Sequence, residues 1–199
     1  MWIDTENLWG FLQGEIEKLS KADRTGKIRP AIVAIDGRCA SGKTTLAMQL
    51  KESLGCNVVS MDDFFLQPHQ RTKERLGTPG GNVDYERVLA EVLDPLSKGE
   101  QAVYRPYRCH SRKFDGKVVL APDRLTIVEG SYACHPALRD YYDLRIFLTV
   151  EPTEQLRRIA RRNGPEGVPV FEQKWIPLEE TYFSELSIPE KCDFCAVTG

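Results

Sequence analysis

Apolar residues recur along this chain with two alternating periods. Leu8, Phe11, Leu12, Ile16 and Leu19 follow helical spacing and predict an N-terminal amphipathic helix within residues 1–26, packed on the edge of a sheet. A short apolar run, residues 31–35, then reads as a strand. Leu46, Leu50 and Leu54 give the buried face of a helix that Gly55 stops. Residues 56–60 form a second strand. Tyr85, Val88, Leu89, Val92, Leu93 and Leu96 mark another helix, with Asp84 placed to cap it. Residues 124–130 and 144–150 are strands, the latter mostly apolar as befits a strand covered on both faces. A helix follows Thr153 with Leu156, Ile159 and Ala160 inward and ends at 163–165. A last helix covers 171–185 with a bend near Pro177, and residues 194–197 make a fifth strand. Strand and helix alternate, which predicts an α/β fold: a five-stranded parallel sheet between two layers of helices.

Two stretches interrupt this alternation. Residues 67–81 are polar, long and loop-like, the length of a lid or binding loop, with Arg71, Lys73 and Arg75 followed by a Gly-rich tract. Residues 102–104 and 117–120 read as two short strands, with Asp115-Gly116 as the turn of a hairpin. The hairpin contains Arg105, Tyr107, His110 and Arg112, which on pattern alone read as incidental surface charge. The chain is 199 residues and 41% hydrophobic, enough for one domain with a substantial core.

The connection between the first strand and the next helix changes the picture most. It reads Gly37-Arg38-Cys39-Ala40-Ser41-Gly42-Lys43-Thr44, a Gly, four residues, then Gly-Lys-Thr. In a strand–loop–helix context this is a polyphosphate cradle. Glycines let main-chain N–H groups approach phosphate oxygens, and the helix adds its positive end. Gly37, Ala40, Ser41, Gly42, Lys43, Thr44 and Thr45 are the expected ATP-binding residues. Lys43 reaches the terminal phosphates, and the Thr44 hydroxyl is a Mg²⁺ ligand.

Ligands in parallel-sheet proteins gather beyond the carboxyl ends of strands. Asp62 and Asp63 stand where the second strand ends, so either is placed to act as a general base or to cap a turn. Glu129 ends the third strand, where a carboxylate supports a Mg²⁺ shell. Arg157, Arg158, Arg161 and Arg162 crowd the end of a helix. Their charge complements the helix dipole, and Arg158 and Arg161 are also expected to clamp a transferring phosphoryl group.

The net charge of −2 offers no basic excess for nucleic acid or membrane. Six scattered cysteines, one of them inside the phosphate loop, read as reduced thiols. Cys192 and Cys195 lack the second pair that a zinc site needs. With neither a leader nor a spanning apolar run, the expected compartment is cytoplasmic. Oligomeric state stays open, a homo-oligomer included.

From about Ala31 to Thr198 the chain resembles the uridine kinase (uridine–cytidine kinase) family of P-loop kinases. The resemblance rests on the phosphate loop, on Ser60-Met61-Asp62-Asp63-Phe64-Phe65, on Asn82-Val83-Asp84, on His110-Ser111-Arg112, on Val128-Glu129-Gly130 and on the arginine-rich segment 157–161. It implies a P-loop NTPase three-layer sandwich, with 64–84 and 99–123 as acceptor-side insertions and 157–170 as a lid. It makes Asp62 the catalytic aspartate, Asp84 a ribose contact, and His110 and Arg112, with Tyr107 nearby, substrate-site residues. The implied activity is ATP- and Mg²⁺-dependent phosphorylation of a nucleoside 5′-hydroxyl. The sequence departs from the family at Arg105-Pro106, Val83 and Arg162, all on the acceptor side. Pantothenate, a sugar phosphate, glycerate or another riboside are therefore alternative acceptors, and a nucleotide-dependent regulatory ATPase is a further alternative.

Overall fold

The computed structural model describes residues 1–3, 5–19 and 30–199. Its centre is a parallel sheet of β1 (Trp2–Ile3), β2 (Ala31–Gly37), β3 (Asn57–Ser60), β8 (Leu125–Glu129), β9 (Leu144–Thr149) and β10 (Phe194–Val197), in the order β1-β10-β9-β2-β8-β3. The five expected strands are all present. The sixth, β1, joins the edge with Trp2 opposite Cys195 and Ile3 opposite Ala196, and two residues are too few to show a period.

Alternate residues of each strand enter opposite cores, as the pleat requires. Val33, Ile35, Ile127 and Ile146 meet the helices α1 (Thr5–Leu19) and α2 (Lys43–Leu54) through Leu8, Leu12, Ile16, Leu46 and Leu50. Ile32, Ala34, Val128 and Phe147 meet Val88, Val92, Leu93, Tyr182 and Phe183 from helices on the other face. Phe11 closes the first core edge-on against Phe194, with ring centroids 4.8 Å apart. The remainder of the expected 1–26 helix, beyond Leu19, lies outside the described residues.

Gly55 ends α2 in the left-handed conformation, φ 63, as expected. The helix at 85–97 loosens into a wider turn over Leu89–Leu93 but keeps its apolar face. The final helical stretch is likewise wide over Phe171–Trp175, ahead of Pro177, before Ile176–Glu185.

Two expectations are corrected. The excursion is two nested hairpins: β4 (Ala102–Tyr104) pairs with β7 (Val118–Leu120), and inside them β5 (Tyr107–Arg108) pairs with β6 (Lys113–Phe114). The reversal therefore falls at 109–112, and Asp115-Gly116 joins β6 to β7. There Asp115 N–H bonds the Pro106 carbonyl at 2.8 Å and Gly116 takes φ 59. The stretch 67–81 also holds short helical turns, Pro68–Gln70 and Lys73–Gly77. Arg75 ties it down through the carbonyls of Gly81 and Val83, the Tyr85 hydroxyl and both oxygens of Glu86. All six cysteines are free. Cys192 has Cys134 as its neighbour, Sγ to Sγ 3.7 Å.

Candidate active site

The phosphate loop leaves β2 through a backbone contact that only glycine allows. Gly37 has φ 134, and a Cβ there would lie 1.9 Å from the Leu148 carbonyl oxygen. The Arg38 N–H donates to that same carbonyl at 3.1 Å, and the Ser41 N–H returns to the Arg38 carbonyl. Gly42, at φ 92, starts α2 without a capping side chain, so the first N–H groups of the helix have no side-chain acceptor. The Lys43 ammonium bridges the carbonyls of Gly37 and Arg38 at 2.6 and 2.7 Å. The loop thus holds its lysine while presenting main-chain donors outward.

Glu129, at the tip of β8, receives the Thr44 hydroxyl at 2.9 Å. Burial raises the Glu129 pKa, and hydroxyl donors from Ser60 and Thr44 together with the charge of Lys43 counter that rise. Asp62, just past β3, is open to the same cleft. Desolvation raises its pKa as well. Lys43 and Arg162 oppose the rise, while Asp63 and Glu179 add to it. Lys43, Thr44, Asp62 and Glu129 line one cleft of about 1260 Å³. Sequence reasoning expected three strand tips to converge, and the tips of β2, β3 and β8 do.

All four arginines of the helix Pro152–Asn163 line that cleft. Arg158 is anchored to Glu154 at 2.8 Å and to the Ala40 carbonyl at 3.2 Å. Arg161 has no partner among the described residues. Arg162 leans over Phe171, 5.5 Å from the ring centroid, and is the arginine whose charge acts on Asp62. The expected lid carries helical turns at Pro165–Gly167 and Val168–Val170 that run into the last helix.

The acceptor-side residues are distributed differently. Asp84 is 1% exposed and absent from the cleft wall. One oxygen caps the helix through the Arg87 N–H and the other accepts from Gln70 at 2.7 Å. Tyr107 is buried edge-on to Phe114. His110 and Arg112 stand exposed at the hairpin tip and do not line the cleft.

Two residues that sequence reasoning missed hold the frame together. Asp36, fully buried at the end of β2, accepts N–H bonds from Gly37 (2.6 Å), Tyr132 (3.2 Å) and Cys134 (2.8 Å) and the Tyr182 hydroxyl (2.8 Å). Burial outweighs these donors and lifts its pKa to about 6. The signal was present, a lone acid in an apolar strand. Glu179, buried on the last helix, accepts the Cys39 N–H at 2.9 Å and the Ser131 hydroxyl at 2.6 Å, linking phosphate loop to strand tip. Nothing in its local sequence marks it.

The donor set suits Mg²⁺, a hard cation bound through one or two carboxylates plus phosphates: a hydroxyl and a carboxylate already in contact, beside a lysine.

Comparison with known proteins places the fold. No family model matches the chain. A uridine kinase from Alkaliphilus metalliredigens is 30% identical over 151 residues, covering 69% of this chain and 70% of that protein. The solved structure of a possible uridine kinase from Bacillus stearothermophilus superposes with a TM-score of 0.62 at 19% identity, covering 95% of this chain and all of that one. A putative fructose transport system kinase from Silicibacter sp. TM1040 gives 0.67 at 21% identity, covering 94% and 98%. The fold is that of the P-loop kinases.

Proposed function

Since this chain belongs to the uridine kinase family, we propose that it transfers the γ-phosphoryl group of ATP to a hydroxyl of a small molecule, in the family pattern the 5′-hydroxyl of a nucleoside. The observation that carries the reading is the meeting of Lys43, the Thr44–Glu129 pair and Asp62 around one cleft. Phosphoryl transfer asks mainly for positioning and charge. The N–H groups from Ala40 to Thr45 and the Lys43 ammonium hold the β and γ phosphates. Thr44 and Glu129 are the residues that would hold Mg²⁺, which when bound neutralises charge on the phosphate oxygens. A carboxylate oxygen of Asp62 takes the proton of the acceptor hydroxyl. The acceptor hydroxyl oxygen, its proton passed to Asp62, bonds to the γ-phosphorus, the bond from phosphorus to the bridging oxygen breaks, and ADP leaves. Arg161 and Arg162 offset charge at the transferring group, while Arg158 steadies the loop.

A second reading keeps the chemistry and changes the acceptor. It is favoured by Asp84, whose two oxygens are both engaged inside the fold. A coupled assay of ADP release with ATP, Mg²⁺ and a panel of nucleosides, sugars and hydroxy acids tests both. Acceptor-dependent ADP release is expected, and Asp62→Asn should lower kcat by about a hundredfold or more with the KM for ATP little changed. Near-normal turnover in that variant would refute the role of Asp62. ADP release that no acceptor stimulates would refute the kinase reading in favour of a regulatory ATPase.

A further inference from the structure

Beside the main cleft lies a cavity of about 200 Å³ walled by Phe65, Arg71, Asn82, Cys109, Lys174 and Trp175 among its lining residues, none of which is acidic. Phe65 and Trp175 also line the main cleft, so the two spaces share a wall. Asp62 lines the cleft that shares this wall, and the charges of Arg71 and Asp62 both act on the Cys109 thiol.

Its two cations are unbalanced. Several other arginines find carboxylates, Arg75 with Glu86, Arg87 with Glu91, Arg108 with Asp63 and Arg145 with Asp193, although Arg161 does not. Among the described residues Arg71 and Lys174 have no carboxylate partner. The Lys174 ammonium instead lies 4.5 Å from the centroid of the Trp175 ring. Both cations are exposed, so water screens them while the cavity is empty, and an anion entering it meets two positive charges and no acid. A guanidinium is suited to grip a carboxylate or phosphate through paired N–H groups, and an ammonium serves as a point charge beside it. A neutral riboside would leave both unpaired.

We propose that the acceptor itself carries a carboxylate or phosphate, that Arg71 and Lys174 receive this anion, and that its hydroxyl is thereby turned toward Asp62. The inference rests on the second kinase reading above, in which the acceptor is changed, and names the class of that acceptor.

The test uses the whole chain with ATP and Mg²⁺, offering D-glycerate, ribose 5-phosphate and uridine as acceptors. D-glycerate or ribose 5-phosphate is expected to stimulate ADP release, and which of the two does so tells carboxylate from phosphate. Arg71→Ala and Lys174→Ala should each raise the KM for that acceptor about ten- to a hundredfold, as loss of a charge-assisted hydrogen bond does, with the KM for ATP unchanged. Arg71→Lys should recover part of the loss. A second readout needs no turnover. Cys109 is the exposed cysteine and the other five are buried, so iodoacetamide labelling followed by mass spectrometry reports on this cavity. The anionic acceptor should slow labelling of Cys109 in the parent chain and not in Arg71→Ala, and uridine should have no effect. Uridine as the preferred acceptor, with a KM indifferent to Arg71→Ala, would overturn the inference and leave the kinase standing. So would labelling that neither anion slows. ADP release unmoved by all three acceptors would instead sink the kinase reading together with the inference built on it.

Discussion

Replacing Asp36 by asparagine should have a cost that depends on pH. The carboxylate is 0% exposed and receives three main-chain N–H groups and one hydroxyl. Even so, burial dominates and raises its pKa from 3.8 to about 6. The folded value lies above the unfolded one, so between the two the folded chain holds a proton that the unfolded chain has released. Stability from this group is therefore fully present below about pH 4 and is lost as pH rises through about 6. The separation corresponds to about 3 kcal/mol, of which about 2 kcal/mol falls between pH 4 and pH 7. Asparagine does not titrate in this range. Urea unfolding of the parent chain and Asp36→Asn, followed by circular dichroism across that interval, should show the parent's advantage shrinking by about 2 kcal/mol toward pH 7. An advantage constant across the interval would mean that the donors around Asp36 just offset its burial, and one growing with pH that they outweigh it and the sign is reversed; either refutes the reasoning.

Other outcomes follow from single contacts. Gly37→Ala must move the Leu148 carbonyl, which a Cβ would approach to 1.9 Å. It should cost about 3 kcal/mol or more, seen in calorimetry as a fall in Tm of roughly 6–12 °C, and should weaken ATP binding. Gly10→Ala, on α1 with open space around its Cα, should instead gain about 0.5–1 kcal/mol by the same measurement. The charge of Arg162 favours ionised Asp62, so Arg162→Ala should move the acid limb of the kcat–pH profile to higher pH. A limb that stays in place or moves down would show that Asp62 is not the group being titrated.

What the sequence disclosed, and what it withheld, divides by the range of the interaction. The phosphate loop was legible because its demands are local. A positive φ at Gly37 and Gly42 and a helix beginning at Lys43 are written in consecutive residues. Asp62 and Glu129 were legible because strand ends can be read from where apolar runs stop. Asp84 was read both as a helix cap and as a ribose contact, and the geometry shows the cap. Glu179 was invisible because its partner Cys39 lies 140 residues away, and no periodicity spans that distance. The nested hairpin misled for the opposite reason. Asp-Gly is a strong local turn signal, yet pairing of Tyr107 with Phe114 and Arg108 with Lys113 placed the reversal earlier, at 109–112.

This division bears on how the two halves of the site are specified. On the nucleotide side the donors are main-chain groups held by strand-to-loop hydrogen bonds, so the geometry depends on glycines and on buried acids such as Asp36 and Glu179. Side-chain substitutions elsewhere can leave it intact. On the acceptor side the walls are side chains from three separate segments: Arg71 after a short turn, Cys109 at a hairpin tip, and Lys174 and Trp175 on a widened helical turn. No shared backbone ladder ties these three together, so each can change without disturbing the phosphate loop. A chain can therefore keep the phosphoryl-transfer geometry of its family while its acceptor pocket changes charge. The locked Asp84 and the Arg71 and Lys174 without carboxylate partners fit that pattern, and on the proposed reading acceptor choice would lie in residues 67–81, the hairpin and the turn before Ile176.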